Sequence, residues 1–180
     1  MDDSMRLAIE GKTFGTKLSR CDLVIEHAEA LLEYETINIP TLSPLPSELI
    51  GQFRALRIEI VLDEAQKIAD KAADKSKVAS TINSKYNALG QGLLKAKSIL
   101  ENISPGMGQS IIDKLSNKMH ETKLSGFLEN AEKAEFKGNA KKAIDQYQEA
   151  LFFIQNDDIP DQQQHEEITK LEAKIQKLKS

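Results

Sequence analysis

Apolar positions recur every three or four residues along most of this chain, the period of helices that bury one stripe. Between about 17 and 35, Leu18, Cys21, Ile25, Ala28 and Leu32 form such a stripe, widened by Val24 and Leu31. Asp22, Glu26, Glu29 and Glu33 fill the opposite side, so the pattern predicts one amphipathic helix lying on a core. Residues 1–15 are ambiguous and are expected to be a flexible lead or a short first turn of helix. The stretch 36–46 holds Pro40, Pro44 and Pro46. Proline removes a backbone donor and pushes its predecessor toward extended conformations, so the helix ends here in a connecting loop. A short proline-rich peptide ligand is the sharper alternative for that loop.

Ser47 and Glu48, following Pro46, suit the first turn of a second helix. Leu49, Phe53, Leu56 and Ile60 form its stripe, and Val61, Ala65, Ile68 and Ala72 continue it one residue out of phase. The alanine-rich, charged run at 70–77 reads either as a bend or as the exposed middle of one very long helix. From Ala79 a stricter spacing returns: Ala79, Ile82, Tyr86, Leu89, Leu93, Ala96, Leu100 and Ile103. It resembles a heptad seam, which packs helices side by side at a shallow angle. Gly90 and Gly92 lie within it, each costing about 1 kcal/mol relative to alanine. They either allow a close crossing or mark a break.

SPGMGQS at 104–110 ends that seam, and Ser110 helps start the next helix. Ile111, Ile112, Leu115, Met119, Leu124, Phe127 and Leu128 carry it on, as one helix or, broken at Gly126, as two. Beyond Ile154, the polar loop 155–164 contains Pro160. A last helix then shows Ile168, Leu171, Ile175 and Leu178 on one face, with Lys170, Lys174, Lys177 and Lys179 outside it. Glu166 and Lys170 are a favourable pair four apart, and lysines late in a helix suit its dipole.

Two helical patterns meet at Gly138-Asn139. Phe127, Ala131 and Ala134 share a face before the turn; Ala140, Ala143, Ile144, Tyr147, Ala150, Leu151 and Ile154 share one after it. Gly138 suits a left-handed helix end and Asn139 a new start. Small residues sit where the helices cross, and Tyr147 is the large group they close around. The prediction is an αα-hairpin.

This hairpin resembles a tetratricopeptide repeat. The likeness rests on Gly138, Ala143, Tyr147 and Ala150, with Ile144 and Leu151 beside them. Phe127, Ala131 and Ala134 match the family's first helix. Asn130 replaces an apolar residue of the family pattern, and Gln155 stands where the family often has proline. One clear copy is present, over roughly a sixth of the chain. A lone repeat cannot bury both faces, so it must pack on other helices of this chain. The 168–178 helix, with its polar outer face, is expected to cap it. The Ala and Tyr spacing also resembles the microtubule-interacting-and-trafficking domain, a bundle of about three helices, whereas this chain reads as five or six.

The expected fold is therefore all-α, built of antiparallel hairpins or a bundle. Residues 1–104 would form an N-terminal helical region and 105–180 the tetratricopeptide-like region, unless the two are one continuous domain. With 180 residues, such a chain buries roughly 70% of the surface its unfolded form exposes and needs no staple. Cys21 is the single cysteine, which excludes an internal disulfide and multi-cysteine zinc sites. Its place in an apolar stripe reads as packing. The net charge of −4, spread without a basic stripe, and the absence of tryptophan argue against nucleic acid. No run of about 18 apolar residues exists to span a membrane, and the acidic N-terminus lacks the order of a secretion signal. A cytoplasmic setting is expected.

No motif carries catalytic chemistry. GKT at 11–13 lacks the glycine five positions earlier that a phosphate loop needs, since Arg6 stands there. His120-Glu121 begins like a zinc-protease helix, but Leu124 occupies the second histidine's place. His27, His120 and His165 fall in separate segments, so no cofactor, metal or enzyme activity is expected. The leading expectation is a module or scaffold that binds a peptide or partner helix of another protein. In the family the hairpin resembles, the first helix of each repeat lines a groove, which here implies Leu128, Glu132, Glu135 and Phe136. Two carboxylates beside apolar groups suit a basic amphipathic segment. The alternative is a structural element that forms homo-oligomers through the 79–103 or 168–178 seams.

Overall fold

Eight α-helices and no strand make up residues 2–39, 43–157, 159 and 162–179, the part of the chain described by this computed structural model. In order they are α1 (Asp2–Glu10), α2 (Phe14–Glu29), α3 (Leu32–Thr36), α4 (Pro46–Val78), α5 (Ile82–Leu100), α6 (Gln109–Phe136), α7 (Ala140–Gln155) and α8 (His165–Lys179). The chain is all-α, as its periodicity predicts. Pro40 and Pro160, on which the loop readings partly rested, lie outside the described residues.

The first 36 residues correct two expectations. Residues 2–10 are helical, and Ala8 is fully buried in a cluster with Cys21, Val24 and Ala28 of α2. Gly11 and Thr13, the remnant of the rejected phosphate motif, serve the junction: the Gly11 N–H closes α1 on Leu7, and the Thr13 hydroxyl caps α2 by accepting from Thr16 N–H at 3.2 Å. The expected single helix over 17–35 divides into α2 and α3. A tight turn, Leu31 N–H to Ala28 carbonyl at 3.0 Å, separates them and turns Leu32 onto the same apolar cluster.

Farther on, the longer alternatives hold. α4 is continuous through 70–77, and α6 runs through Gly126 without a break. Thr81 starts α5 by accepting from Ser84 N–H at 3.1 Å, so the 79–103 seam begins one turn before its helix. The chain divides into two units. Unit 1 comprises Met1–Ala73 and Gln91–Asp113; unit 2 comprises Asp74–Gly90 and Lys114–Ser180. Thus α4, α5 and α6 each contribute residues to both, and the boundary expected at 104/105 falls inside unit 1.

Unit 1 is built on Ala8, Cys21, Val24, Ala28, Leu49, Ile50 and Phe53, with Leu56 and Ile60 packed alongside. Arg57 ties its helices together, pairing with Asp22 at 2.7 Å and donating to the Asn102 carbonyl. Glu35 accepts from both the Ser47 backbone N–H (2.9 Å) and hydroxyl (2.6 Å), fixing the entry to α4. Gly92 is where α5 meets α4: a Cβ there would lie 2.2 Å from that of Ala72. Of the two readings for the seam glycines, close crossing is the one realised at Gly92.

Unit 2 centres on Ala131, Ala134, Ala143, Tyr147, Ala150, Ile154, Leu171 and Ile175. The α6–α7 turn has the predicted geometry. Gly138 adopts φ +71°, its N–H bonds to the Glu135 carbonyl (2.9 Å), and Asn139 N–H reaches back to Ala134 (2.9 Å). Asn139 then caps α7, its side-chain oxygen accepting from Lys142 N–H at 3.1 Å. α8 packs on α7 through Leu171 and Ile175, flanked by Ile168 and Leu178. That apolar face is thus spent inside the unit.

Candidate functional site

The α6–α7 hairpin presents two chemically different flanks, because helical residues about 100° apart spread around α6. Leu128, Glu132, Glu135 and Phe136 lie on one side; Asn130, Lys133 and Lys137 lie on the other. Ala131 and Ala134 face the core between them.

On the first flank the ring of Tyr147 is fully buried, while its polar tip reaches the edge of the core. The Tyr147 hydroxyl donates to Glu135 Oε2 at 3.0 Å and accepts from Lys174 Nζ at 3.1 Å. Lys174, on α8, also lies 5.0 Å from the Tyr147 ring centre and pairs with Glu132 at 3.5 Å. Burial raises the Tyr147 pKa; Lys174 lowers it and Glu135 raises it further. Lys174 is raised too, chiefly through its bond to the Tyr147 oxygen, with Glu132 adding to it.

Both carboxylates read from the sequence as groove residues are thereby held by groups of α7 and α8. Leu128 is half-buried and packs against the unit 2 core. Phe136, on the last turn of α6, is 93% exposed. The four residues share a flank: Glu132 and Glu135 belong to this network, Leu128 packs on the core, and Phe136 is left exposed. Lys174 is what the sequence reading missed. In the sequence it is one of several lysines outside the apolar face, and its only signal is its place one residue from Ile175.

The second flank is an open groove of about 580 Å³ between α6 and α7. From α6 it is lined by Asn130, Lys133, Ala134 and Lys137. From α7 and its cap come Asn139, Lys142 and Gln146. None of these is acidic. Lys133 also pairs with Glu129 at 3.4 Å, whereas Lys137 and Lys142 stand in no ion pair among the described residues. The sequence reading did not single out these lysines, because they alternate with glutamates along α6 and only the fold sorts them to one side.

A third polar feature joins α6 to the loop after α7. His120 Nε2 lies 2.5 Å from Asp157 Oδ2, and its ring stacks on Phe153 with centres 4.9 Å apart. Asp157 Oδ1 accepts from Ile159 N–H (2.8 Å) and from the buried amide of Gln164 (2.9 Å). His27, in the last turn of α2, is exposed and contacts the Leu23 carbonyl at 2.6 Å.

Among the described residues, no group of three or more His, Cys, Asp or Glu side chains is arranged to hold a metal ion. No described helix is long and apolar enough to cross a membrane. Comparison with known proteins finds no matching family model, curated protein or solved structure.

Proposed function

We propose that this chain is a protein-interaction module or scaffold that binds a peptide or partner helix through the α6 face of a tetratricopeptide-like hairpin. The observation that carries this reading is Phe136. A large aromatic residue 93% exposed, on a helix end fixed by the Gly138 turn, is the kind of rigid apolar anchor on which partners close. Glu132 and Glu135 lie beside it and give the face a preference for a basic, amphipathic segment. Lys174 already engages Glu132, but that pair is exposed, and exposed pairs are worth only about 0–1 kcal/mol. A partner's lysine or arginine can therefore displace it.

The hairpin's closure around Tyr147 by Ala131, Ala134, Ala143 and Ala150, with α8 laid on α7, supports the repeat-like reading with a C-terminal cap. The oligomerisation alternative has less support. The 168–178 face is packed in unit 2, and Leu89 and Ala96 of the 79–103 seam are fully buried.

The test begins with affinity purification and identification of the bound protein, followed by binding of that partner to variants. Phe136→Ala and the double change Glu132→Lys with Glu135→Lys should each weaken binding at least about tenfold, the scale of a lost anchor. Circular dichroism must show an unchanged helical spectrum. Partner binding unaltered in both variants overturns the proposal.

A further inference from the structure

The lysine-lined groove on the opposite flank of α6 is not used by that reading. We propose that it is a second docking site, for an extended acidic segment of another protein chain carrying carboxylates at alternate positions. It neither rests on the Phe136 face nor shares a residue with it.

Charge is the first argument. Lys133, Lys137 and Lys142 bring three ammonium groups to one groove, and none of its lining residues is acidic. This concentration is local, in a chain whose net charge is −4. Lys137 and Lys142 stand in no ion pair among the described residues, so a partner's carboxylates meet them without breaking an existing one. Lys133 has only the exposed Glu129, at 3.4 Å, to give up.

Shape and hydrogen bonding narrow the occupant. Asn130, Asn139 and Gln146 add side-chain amides between the lysines. The Asn139 oxygen is occupied in capping α7, which leaves its NH₂ as a donor. Amides that both donate and accept suit a peptide backbone. From Asn130 to Lys137 the groove runs about 10 Å along α6, the length of about three extended residues. Lys133 and Lys137 are one helical turn apart, about 6 Å, close to the roughly 6.7 Å between alternate side chains of an extended strand. A volume of about 580 Å³ is ample for such a segment.

A nucleic acid fits less well. The groove offers no aromatic ring for a base to stack on, and the surrounding chain is acidic. An anionic membrane would meet a concave, amide-lined surface in place of the protruding basic face that such binding uses.

The test is fluorescence anisotropy with a fluorescein-labelled peptide of alternating glutamate and alanine and its lysine–alanine counterpart. A labelled single-stranded oligonucleotide and vesicles containing phosphatidylserine serve as competing arms. The glutamate peptide should bind the intact protein, and binding should weaken as salt rises toward about 0.15 M. Lys137→Glu with Lys142→Glu should weaken it at least about tenfold, since like charges placed together repel. Lys170→Glu, on α8 outside the groove, should leave affinity within about twofold. If the double reversal loses helical signal, Lys137→Gln with Lys142→Gln carries the test, with a smaller loss still exceeding that of Lys170→Gln. Absence of glutamate-peptide binding overturns the proposal. So does equal loss with the Lys170 variants, or tighter binding of the oligonucleotide or the vesicles.

Discussion

The Tyr147 hydroxyl and the Glu135 carboxylate, on facing helices of one hairpin, are joined at 3.0 Å across the edge of the unit 2 core. The ring itself is fully buried among alanines, so Tyr147 does two separable things: it fills volume and it ties α6 to α7 and α8. Replacing it with Phe removes only the tie and should cost about 0.5–1.5 kcal/mol. Tyr147→Ala also opens a cavity in a cluster with little else to fill it, and should cost about 3–5 kcal/mol. Urea unfolding followed by circular dichroism separates the two. Equal costs would mean that the ring carries none of the packing assigned to it.

The bond between the Tyr147 hydroxyl and Lys174 makes unit 2 sensitive to alkali. Tyr147 and Lys174 both have pKa values raised above the ordinary 10.0 and 10.5. A raised value in the folded state means that folding favours the protonated form. The stabilisation is therefore complete below the unfolded values and fades as pH rises through the folded ones. Melting curves should be flat in this respect to about pH 10 and fall above it. In Tyr147→Phe that fall should be smaller, because one of the two titrations is gone. An identical alkaline limb in the variant would sink the assignment.

Two glycines answer to different forces, and substitution tells them apart. Gly138 has open space around it and a positive φ, so Gly138→Ala meets only backbone strain of about 1–2 kcal/mol. Gly92 lies in a helix, and its added methyl would stand 2.2 Å from Ala72 Cβ. Gly92→Ala should cost about 1–3 kcal/mol through crowding. Adding Ala72→Gly should recover part of that loss beyond the sum of the single effects, a coupling that a double-mutant cycle reads directly. Strict additivity would mean that the two helices do not meet there.

Much of this architecture is legible from periodicity. The Gly138-Asn139 turn, the enclosure of Tyr147 and the packed face of α8 follow from residues that have one good use each. A glycine takes a positive φ, an asparagine caps a helix, and an apolar stripe needs a partner. Residues 2–10 were not legible because the helix is only nine residues long, and an apolar face made by Met5 and Ala8 is too short to tell from a lead segment. The split between α2 and α3 was hidden because Leu32 stays in phase with the stripe while the backbone between turns. Charged side chains were the least legible of all. Lys133 and Glu132 are neighbours in sequence, yet one lines the groove and the other meets α8; only the third dimension separates them.

Cys21 should behave as a buried packing group. Burial, and then the neighbouring Asp22 carboxylate, raise its pKa above 9.0, against smaller opposing effects from Arg57 and Lys17. Less thiolate is then present near neutral pH than on a free cysteine, and the sulfur is fully enclosed. Ellman's reagent should react at least about a hundredfold more slowly with the native protein than with the urea-unfolded chain, since attack waits on opening of the fold. Rapid stoichiometric labelling of the native protein would place the thiol at the surface.

Asp157 governs the last junction. Its carboxylate is 8% exposed and is satisfied by His120, by Ile159 N–H and by the Gln164 amide. Gln164, itself buried, also donates to the Ile159 carbonyl at 3.0 Å, so Asp157, Ile159 and Gln164, in the loop between α7 and α8, are held together. Asp157→Ala strips partners from three donors at once and should cost about 2–4 kcal/mol, more than a surface change and comparable to a small core cavity. His120→Gln keeps a donor for the carboxylate but loses the stack on Phe153, and should cost less. The damage should also be local first. α8 is held by Leu171 and Ile175 and by this loop, so amide exchange in 165–179 should quicken in Asp157→Ala before exchange in 114–136 does. Uniform acceleration across both segments would show that the loop does not anchor α8 separately from the hairpin.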